Sequence, residues 1–175
     1  DEVETIMTRH FEWKKAFRSQ WCLSFQLQGF DFDFLPTTFL DPDNEKQIKL
    51  VAKSEAPDDE FEILRIGLAE GPVIFMREQS GFTHDLARLL KYWSNTVLVP
   101  RFGHGRSYTL ELFAVLATKE EETNLLEGFR IALTKIRDFQ AVHQIWTRFY
   151  DLEDVPDEVR KQRPLLVDVA NPRNN

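Results

Sequence analysis

The hydrophobic periodicity of this chain changes once, and that change constrains its fold more than any other feature. Between residues 23 and 34 apolar and polar residues alternate, which is the pattern of half-buried β-strands. From about residue 61 onward apolar residues recur at intervals of three and four, which is the pattern of amphipathic helices. Because strands come first and helices follow, the sequence predicts an α+β fold with the helices grouped against one part of a sheet.

The first alternating run predicts a strand that ends at Gly29. Its apolar positions alternate with serine and glutamine, and they are Leu23, Phe25 and Leu27. The residues before this run, 1–20, give an ambiguous pattern that is compatible with a short helix before Phe11.

The second run, residues 30–34, predicts a strand with two different faces. Three phenylalanines share one face, whereas Asp31 and Asp33 share the other. Pro36 ends the strand, because proline cannot donate a hydrogen bond to the ladder. The two strands either pair as a hairpin or lie side by side in a larger sheet.

Residues 41–60 are polar and acidic, and most of this stretch is expected to be a solvated loop. The stretch that follows predicts a helix, since its apolar residues share one helical face: Phe61, Leu64 and Leu68. This helix is expected to end near Gly71 and Pro72.

Four further helices are expected, each from its own apolar stripe. The stripes are Leu86, Leu89, Leu90 and Trp93; Tyr108, Leu112, Phe113 and Leu116; Leu125, Leu126, Phe129, Leu133 and Ile136; and Phe139, Val142, Ile145, Trp146 and Phe149. A charged turn over 119–122 separates the second helix from the third. Residues 165–169 are expected to form a short late strand.

The bulk composition limits the classes of function. The 175 residues carry a formal net charge of −7, which argues against autonomous, nonspecific binding to nucleic acid. The single cysteine, Cys22, excludes an intrachain disulfide and lies in an apolar context typical of a buried thiol. The four histidines show no zinc-ligand spacing, and no apolar run is long enough to span a bilayer.

Two groups of charged residues are candidates for chemistry. Asp31 and Asp33 lie on one strand face, where carboxylates can hold Mg²⁺, although spacing alone favours an ordinary solvent-facing strand. Arg88 and Lys91 lie three residues apart on one side of a helix, where they can hold a triphosphate or simply form a solvated face. Tyr108 either lines a nucleotide pocket or packs in the core.

Several segments, taken in order, resemble the 2′-5′-oligoadenylate synthetases. Phe32-Asp33-Phe34-Leu35-Pro36 is similar to the family's Phe-Asp-Val-Leu-Pro, and Leu86-Ala-Arg-Leu-Leu-Lys-Tyr-Trp93 to its Leu-Ile-Arg-Leu-Val-Lys-His-Trp. Ser107-Tyr-Thr-Leu-Glu-Leu112 resembles Gln-Tyr-Ala-Leu-Glu-Leu, and Arg163-Pro-Leu-Leu-Val-Asp168 resembles Arg-Pro-Val-Ile-Leu-Asp. Each motif is weak alone, but four in the right order are fairly specific.

The resemblance implies a nucleotidyltransferase that polymerises ATP into 2′-5′-linked oligoadenylates with Mg²⁺ and releases pyrophosphate. Asp33 would be the third metal-binding carboxylate, Arg88 and Lys91 would hold phosphates, and Ser107 and Tyr108 would line the nucleotide pocket. Residues 1–40 would then end the sheet of the catalytic lobe, 41–60 would be an acidic loop or linker, and 61–175 would form the mostly helical C-terminal lobe.

The chain also departs from the family pattern. The family's Gly-Ser and Asp-x-Asp motifs, which supply the first two aspartates, lie upstream of every segment matched here, so the chain is expected to be an inactive fragment of an active parent. Ser107 replaces the family's pocket glutamine. The 73–85 segment, which is basic in members activated by double-stranded RNA, has only Arg77 as a firm positive charge. This weakens the expectation of RNA activation.

Two alternative functions remain open on the sequence. In the first, the parent is a catalytically inactive family member that acts as an RNA-binding or scaffold module. In the second, it is a related synthase that makes a cyclic dinucleotide. The absence of targeting signals, together with the family resemblance, predicts a cytoplasmic protein.

Overall fold

The computed structural model describes residues 13–18, 23–27, 29–34, 67–98 and 107–175. Three strands form one antiparallel sheet of order β1-β2-β3, namely β1 (Trp13–Arg18), β2 (Leu23–Leu27) and β3 (Phe30–Phe34). The later elements are the helices α1 (Glu70–Arg77), α2 (Gly81–Trp93), α3 (Ser107–Thr118), α4 (Leu125–Arg137) and α5 (Asp157–Arg160), and the short strands β4 (His143–Gln144) and β5 (Leu165–Leu166). The order of strands before helices confirms the α+β prediction, and the acidic stretch 41–60 lies outside the described residues.

The hairpin interpretation of the first two predicted strands is confirmed. β2 and β3 pair antiparallel in continuous register, from Leu23 opposite Phe34 to Leu27 opposite Phe30. Gly29 connects them with a φ of 82°, in the left-handed region that glycine enters without a steric penalty.

Strand β1 was not predicted. It pairs antiparallel with β2, and its register shifts between Lys15 and Phe17. Such a bulge breaks the strict alternation that identifies a strand in a sequence, so the pattern of residues 1–20 remained ambiguous. The expected helix before Phe11 lies outside the described residues.

The phenylalanines of β3 lie on one face of the hairpin, as predicted. On this face the rings of Phe25 and Phe32 stack with their centroids 5.4 Å apart. The three β3 phenylalanines nevertheless stay partly exposed, from 44% for Phe34 to 70% for Phe30.

The helix boundary expected at Gly71 and Pro72 is wrong. Helix α1 starts at Glu70, so this pair lies in its first turn rather than after its end. Proline is tolerated there because the first amide groups of a helix have no acceptor within it. The Gly-Pro pair therefore opens a helix here, and Leu68, just before it, is buried.

Helices α2 and α3 have the buried faces that their stripes predict. Leu86 and Leu90 of α2 are fully buried. Ser80 caps α2 by accepting a hydrogen bond from the Thr83 amide at 3.2 Å. The Thr83 hydroxyl then donates to Thr118 Oγ1 at 3.1 Å, which ties the start of α2 to the end of α3.

Helix α3 is buried on nearly every side, as expected of a central helix. Its buried residues are Leu110, Leu112, Phe113, Ala114, Val115, Leu116 and Ala117. Two buried clusters meet on it: one with α2 and α4, the other with α1 and the chain after residue 145.

Helix α4 is confirmed, and Phe129, Leu133 and Ile136 of its predicted stripe pack against a buried cluster, but the most buried positions lie beside the stripe. Leu126 is 76% exposed, whereas Gly128 and Ala132 are buried toward α2. A Cβ added at Gly128 would lie 3.0 Å from Cζ of Phe82, so the glycine permits this close approach of the two helices.

The fourth predicted helix, from Phe139 to Phe149, is wrong. Phe139–Ala141 forms a short 3-10 turn, and β4 then pairs in parallel with β5. The amides of Leu165 and Val167 donate to carbonyls of this segment, at 2.9 and 3.1 Å, so ladder bonds replace helical ones. The late strand is confirmed in part, because only Leu165–Leu166 of the predicted 165–169 is a strand.

The chain between β4 and α5 is held by aromatic and ionic contacts. Trp146 is buried edge-on against Phe75 of α1, with ring centroids 5.1 Å apart. Arg148 donates two hydrogen bonds to Glu78, at 2.7 and 3.0 Å, and these lower the pKa of that carboxyl.

Among the helices that the structure describes, none combines the length and apolar character needed to cross a bilayer.

Candidate functional site

A cavity of about 680 Å³ opens between α1, α2, α3 and the C-terminal residues. Its apolar wall comes from α1 and the residues before it: Leu68, Ala69, Pro72, Val73 and Met76. Its polar lining residues are Arg77, His84, Tyr108, Glu111, Asp168, Asn171 and Asn174. A concave surface with an apolar wall and a few polar groups is the usual composition of a small-molecule site.

Tyr108 is in the first turn of α3 and borders this cavity. Its hydroxyl accepts a hydrogen bond from the Val169 amide at 3.4 Å, and its ring packs against the core that includes the C-terminal segment. Burial, and then the charge of Asp168, raise the pKa of the Tyr108 hydroxyl, so it stays protonated at neutral pH. Tyr108 therefore packs against the core and also borders a cavity, and its role toward a nucleotide stays a prediction.

Lys91 does not itself line the cavity, but the carboxylate with which it pairs does. Its ammonium group forms an ion pair with Glu111 of α3, and both side chains are largely shielded from solvent, at 34% and 24% exposure. Glu111 lies one helical turn after Tyr108 and lines the same cavity. The pair fixes the lysine at the junction of α2 and α3.

Arg88 and Ser107 lie on exposed surface. The guanidinium of Arg88 pairs with Asp85 one turn earlier on α2 at 2.6 Å, and both side chains are mostly exposed. Ser107 is exposed at the first position of α3. Neither residue lines the cavity.

Asp33 lies on β3, with its carboxylate on the polar face of the hairpin. The Ser24 hydroxyl donates to Asp33 Oδ1 at 2.5 Å, and the Gln26 amide donates to Asp31 Oδ1 at 3.1 Å. These cross-strand bonds hold both exposed carboxylates in place on their strand.

The described residues fit part of a magnesium site. The carboxylate oxygens of Asp33 are the hard ligands that Mg²⁺ takes. Within the described ranges, however, no three histidine, cysteine, aspartate or glutamate side chains come together as a metal cluster. Asp33 can therefore offer one carboxylate ligand, and the described ranges do not complete a metal site around it.

Glu111 and Asp168 border the cavity but were not among the sequence candidates. Both lie within quoted motifs, Ser107–Leu112 and Arg163–Asp168, where they were not given a role. The available signal for Glu111 was its spacing of three from Tyr108, which puts both on one helical face. The place of Asp168 depends on how the C-terminal residues fold back, and no local pattern shows that.

Comparisons with known proteins identify the relatives of this chain. The family model described as 2'-5'-oligoadenylate synthetase 1, domain 2, C-terminus, matches residues 42–175. The chain is 28% identical to 2'-5'-oligoadenylate synthase 1A of Rattus norvegicus over 206 aligned residues, which cover 98% of this chain and 56% of that protein. It is also 28% identical to synthase 1A of Mus musculus, over 95% of this chain and 53% of that protein.

More distant matches cover less of both proteins. The chain is 28% identical to 2'-5'-oligoadenylate synthase 2 of Homo sapiens over 138 residues, which cover 71% of this chain and 19% of that protein. No solved structure matches. The chain spans about half the length of the two synthase 1A relatives. Because the family model covers most of its residues, the chain belongs to the 2′-5′-oligoadenylate synthetase family, which confirms the resemblance in its motifs.

Proposed function

We propose that this chain is part of a longer nucleotidyltransferase, the parent protein, that joins ATP into 2′-5′-linked oligoadenylates and releases pyrophosphate. One observation carries the proposal: in a chain of this family, Tyr108 and Glu111 line one cavity of about 680 Å³, and Glu111 is ion-paired with Lys91.

The cavity offers a surface for a nucleobase. The ring of Tyr108 and the side chains of Val73 and Met76 supply flat and apolar contacts on its lining. Stacking of one base on an aromatic side chain contributes about 1–3 kcal/mol. The Tyr108 hydroxyl is already engaged with Val169, so we assign the ring, rather than the hydroxyl, to the base.

Lys91 and Arg88 are the proposed phosphate ligands. Both now pair with carboxylates, so a triphosphate has to displace or share these partners. Exchange is easy at Arg88, because exposed ion pairs are worth only about 0–1 kcal/mol. Lys91 is held more firmly, and its ammonium would meet phosphate oxygens at the edge of the cavity, where it would neutralise developing charge.

Asp33 is the proposed metal ligand. When Mg²⁺ is bound, it supplies charge neutralisation and activation of the attacking hydroxyl. Asp33 would hold it through carboxylate oxygens, and Ser24 would orient that carboxylate. In the family the other two metal-binding carboxylates come from motifs upstream of the segment that contains Asp33, so we expect no synthesis by this chain alone.

A second candidate function is a non-catalytic binding module. It is favoured by Ser107, which stands exposed where the family has a glutamine, and by the single firm positive charge, Arg77, in the 73–85 segment. The same scarcity of positive charge gives little support for activation of the parent nucleotidyltransferase by double-stranded RNA.

The proposed location of the parent nucleotidyltransferase is the cytoplasm.

Replacing Tyr108 by alanine is expected to weaken ATP binding about 5- to 150-fold, because stacking worth about 1–3 kcal/mol is lost. Tyr108→Phe keeps the ring and is expected to weaken ATP binding by no more than about fivefold. The dissociation constant of Mg-ATP is measured by calorimetry for each variant of the 175-residue chain.

The matched control is Tyr92→Ala, which removes a tyrosine that is 68% exposed on α2 and does not line the cavity. ATP affinity should not change in this variant. Equal affinities of the Tyr108→Ala variant and the unmodified chain, with folding intact by circular dichroism, would rule out this cavity as the nucleotide site.

A further inference from the structure

The C-terminal turn, defined here as residues 168–174, is closed by its own hydrogen bonds. Oδ1 of Asp168 accepts from the amides of Ala170 and Asn171, at 2.9 and 3.1 Å. The Asp168 amide donates to the Asn174 carbonyl at 2.7 Å, and the Asn174 amide donates to the Asn171 carbonyl at 3.1 Å. The Asp168 carboxylate therefore supplies the acceptor for the amides of Ala170 and Asn171, which would otherwise be buried without one.

This turn is anchored to the core. The hydroxyl of Tyr150, a buried residue, donates to the Asp168 carbonyl at 2.6 Å. Val169, Ala170 and Asn171 are themselves buried. The turn is thus a packed part of the fold, and its position is set by the core.

The outer side of the turn contacts the candidate nucleotide site. The Val169 amide donates to the Tyr108 hydroxyl at 3.4 Å, and Asp168 and Asn171 line the cavity beside the Tyr108 ring. The Asp168 carboxylate holds the two amides that follow Val169, so it fixes the donor that meets the tyrosine.

We propose that Asp168 is a positioning residue that sets the orientation of Tyr108 in the cavity, through the turn that its carboxylate closes. This inference rests on the proposed nucleotide site and deepens it, since it gives a role to the Arg163–Asp168 motif. Asp168 acts through Tyr108 and does not itself need to touch the nucleotide.

The first test needs no nucleotide. The ring resonances of Tyr108 are recorded by NMR in the 175-residue chain with labelled tyrosine, for Asp168→Ala and Asp168→Asn. Asparagine keeps an oxygen that accepts from the two amides, so its spectrum should match that of the unmodified chain. Alanine should shift or broaden the Tyr108 resonances. Unchanged Tyr108 resonances in the Asp168→Ala variant would overturn the proposal.

The second test is a double-mutant cycle on Mg-ATP affinity. Asp168→Ala is expected to weaken binding about five- to tenfold and Asp168→Asn less than twofold. In a Tyr108→Ala background, Asp168→Ala should cause less than a twofold further loss. An equal loss in both backgrounds overturns the proposal, because Asp168 would then act independently of Tyr108.

The two proposals fail in different ways. If the unmodified chain binds no Mg-ATP, the nucleotide cavity is wrong, and the ring resonances alone decide whether Asp168 positions Tyr108. If ATP binds and the resonances do not respond to Asp168→Ala, the cavity stands and the positioning role is wrong.

Discussion

Replacing Asp33 by alanine in the parent protein is expected to reduce oligoadenylate synthesis at least about 1000-fold. A metal ion contributes several kcal/mol to a phosphoryl-transfer transition state, and each 1.36 kcal/mol corresponds to about a tenfold change in rate. Folding should be nearly unaffected, because Asp33 is an exposed strand residue and its bond to Ser24 lies on the surface. Product is measured by chromatography after incubation with ATP and Mg²⁺.

Asp31→Ala is the matched control for this change. Asp31 lies on the same face of β3, has the same charge and also accepts a cross-strand hydrogen bond, from Gln26. Synthesis by this variant should stay within a few-fold of the unmodified parent. If Asp33→Ala retains synthesis, or if both variants lose it equally, Asp33 is not the metal ligand.

Leu86→Ala is expected to lower the free energy of unfolding of the chain by about 2–5 kcal/mol. Leu86 is fully buried in the cluster that joins α2, α3 and α4. Truncation removes its transfer free energy and leaves a cavity beside Gly128, whose neighbourhood already packs closely. The change is measured by urea denaturation followed by circular dichroism.

Leu126→Ala is the control for this second prediction. Leu126 belongs to the apolar stripe that the sequence assigns to α4, yet it is 76% exposed. Its replacement should change the free energy of unfolding by no more than about 0.5 kcal/mol. A loss as large as that of Leu86→Ala would mean that Leu126 is buried and that α4 packs through its predicted stripe.

The elements that could be predicted are those whose signal is local. The alternation on both sides of Gly29 predicts two strands, and the structure selects the hairpin from the two arrangements left open, with glycine supplying the positive φ of the connection. The stripe from Leu86 to Trp93 predicts α2 because one helical face is apolar, and in the structure Ser80 caps that helix. In both cases propensity, pattern and capping point to the same structure.

The elements that were missed depend on contacts distant in sequence. Residues 139–149 have helical spacing, yet their carbonyls accept bonds from the strand near Leu165, more than twenty positions later. The bulge in β1 hides its alternation. The sequence predicts a helix end near Gly71 and Pro72, but in the structure the pair lies in the first turn of α1.

In the candidate site, too, the residues with a local sequence signal could be predicted, whereas their partners, which are distant in sequence, could not. Lys91 and Tyr108 were singled out from motifs, and both lie at or beside one cavity. The partners that hold them, Glu111 and the turn after Asp168, come from α3 and from the C-terminal residues. Pairing across 20 and 61 positions is a product of packing, so residue spacing does not reveal it.

The most direct test of the central claim is to identify the product that the parent protein makes from ATP and Mg²⁺, with and without double-stranded RNA. Mass spectrometry and digestion by a nuclease specific for 3′-5′ linkages determine the chain length and the linkage. We expect linear oligoadenylates that resist this nuclease, together with released pyrophosphate. A cyclic dinucleotide, or the absence of any product under both conditions, would contradict the proposed synthesis of 2′-5′-linked oligoadenylates.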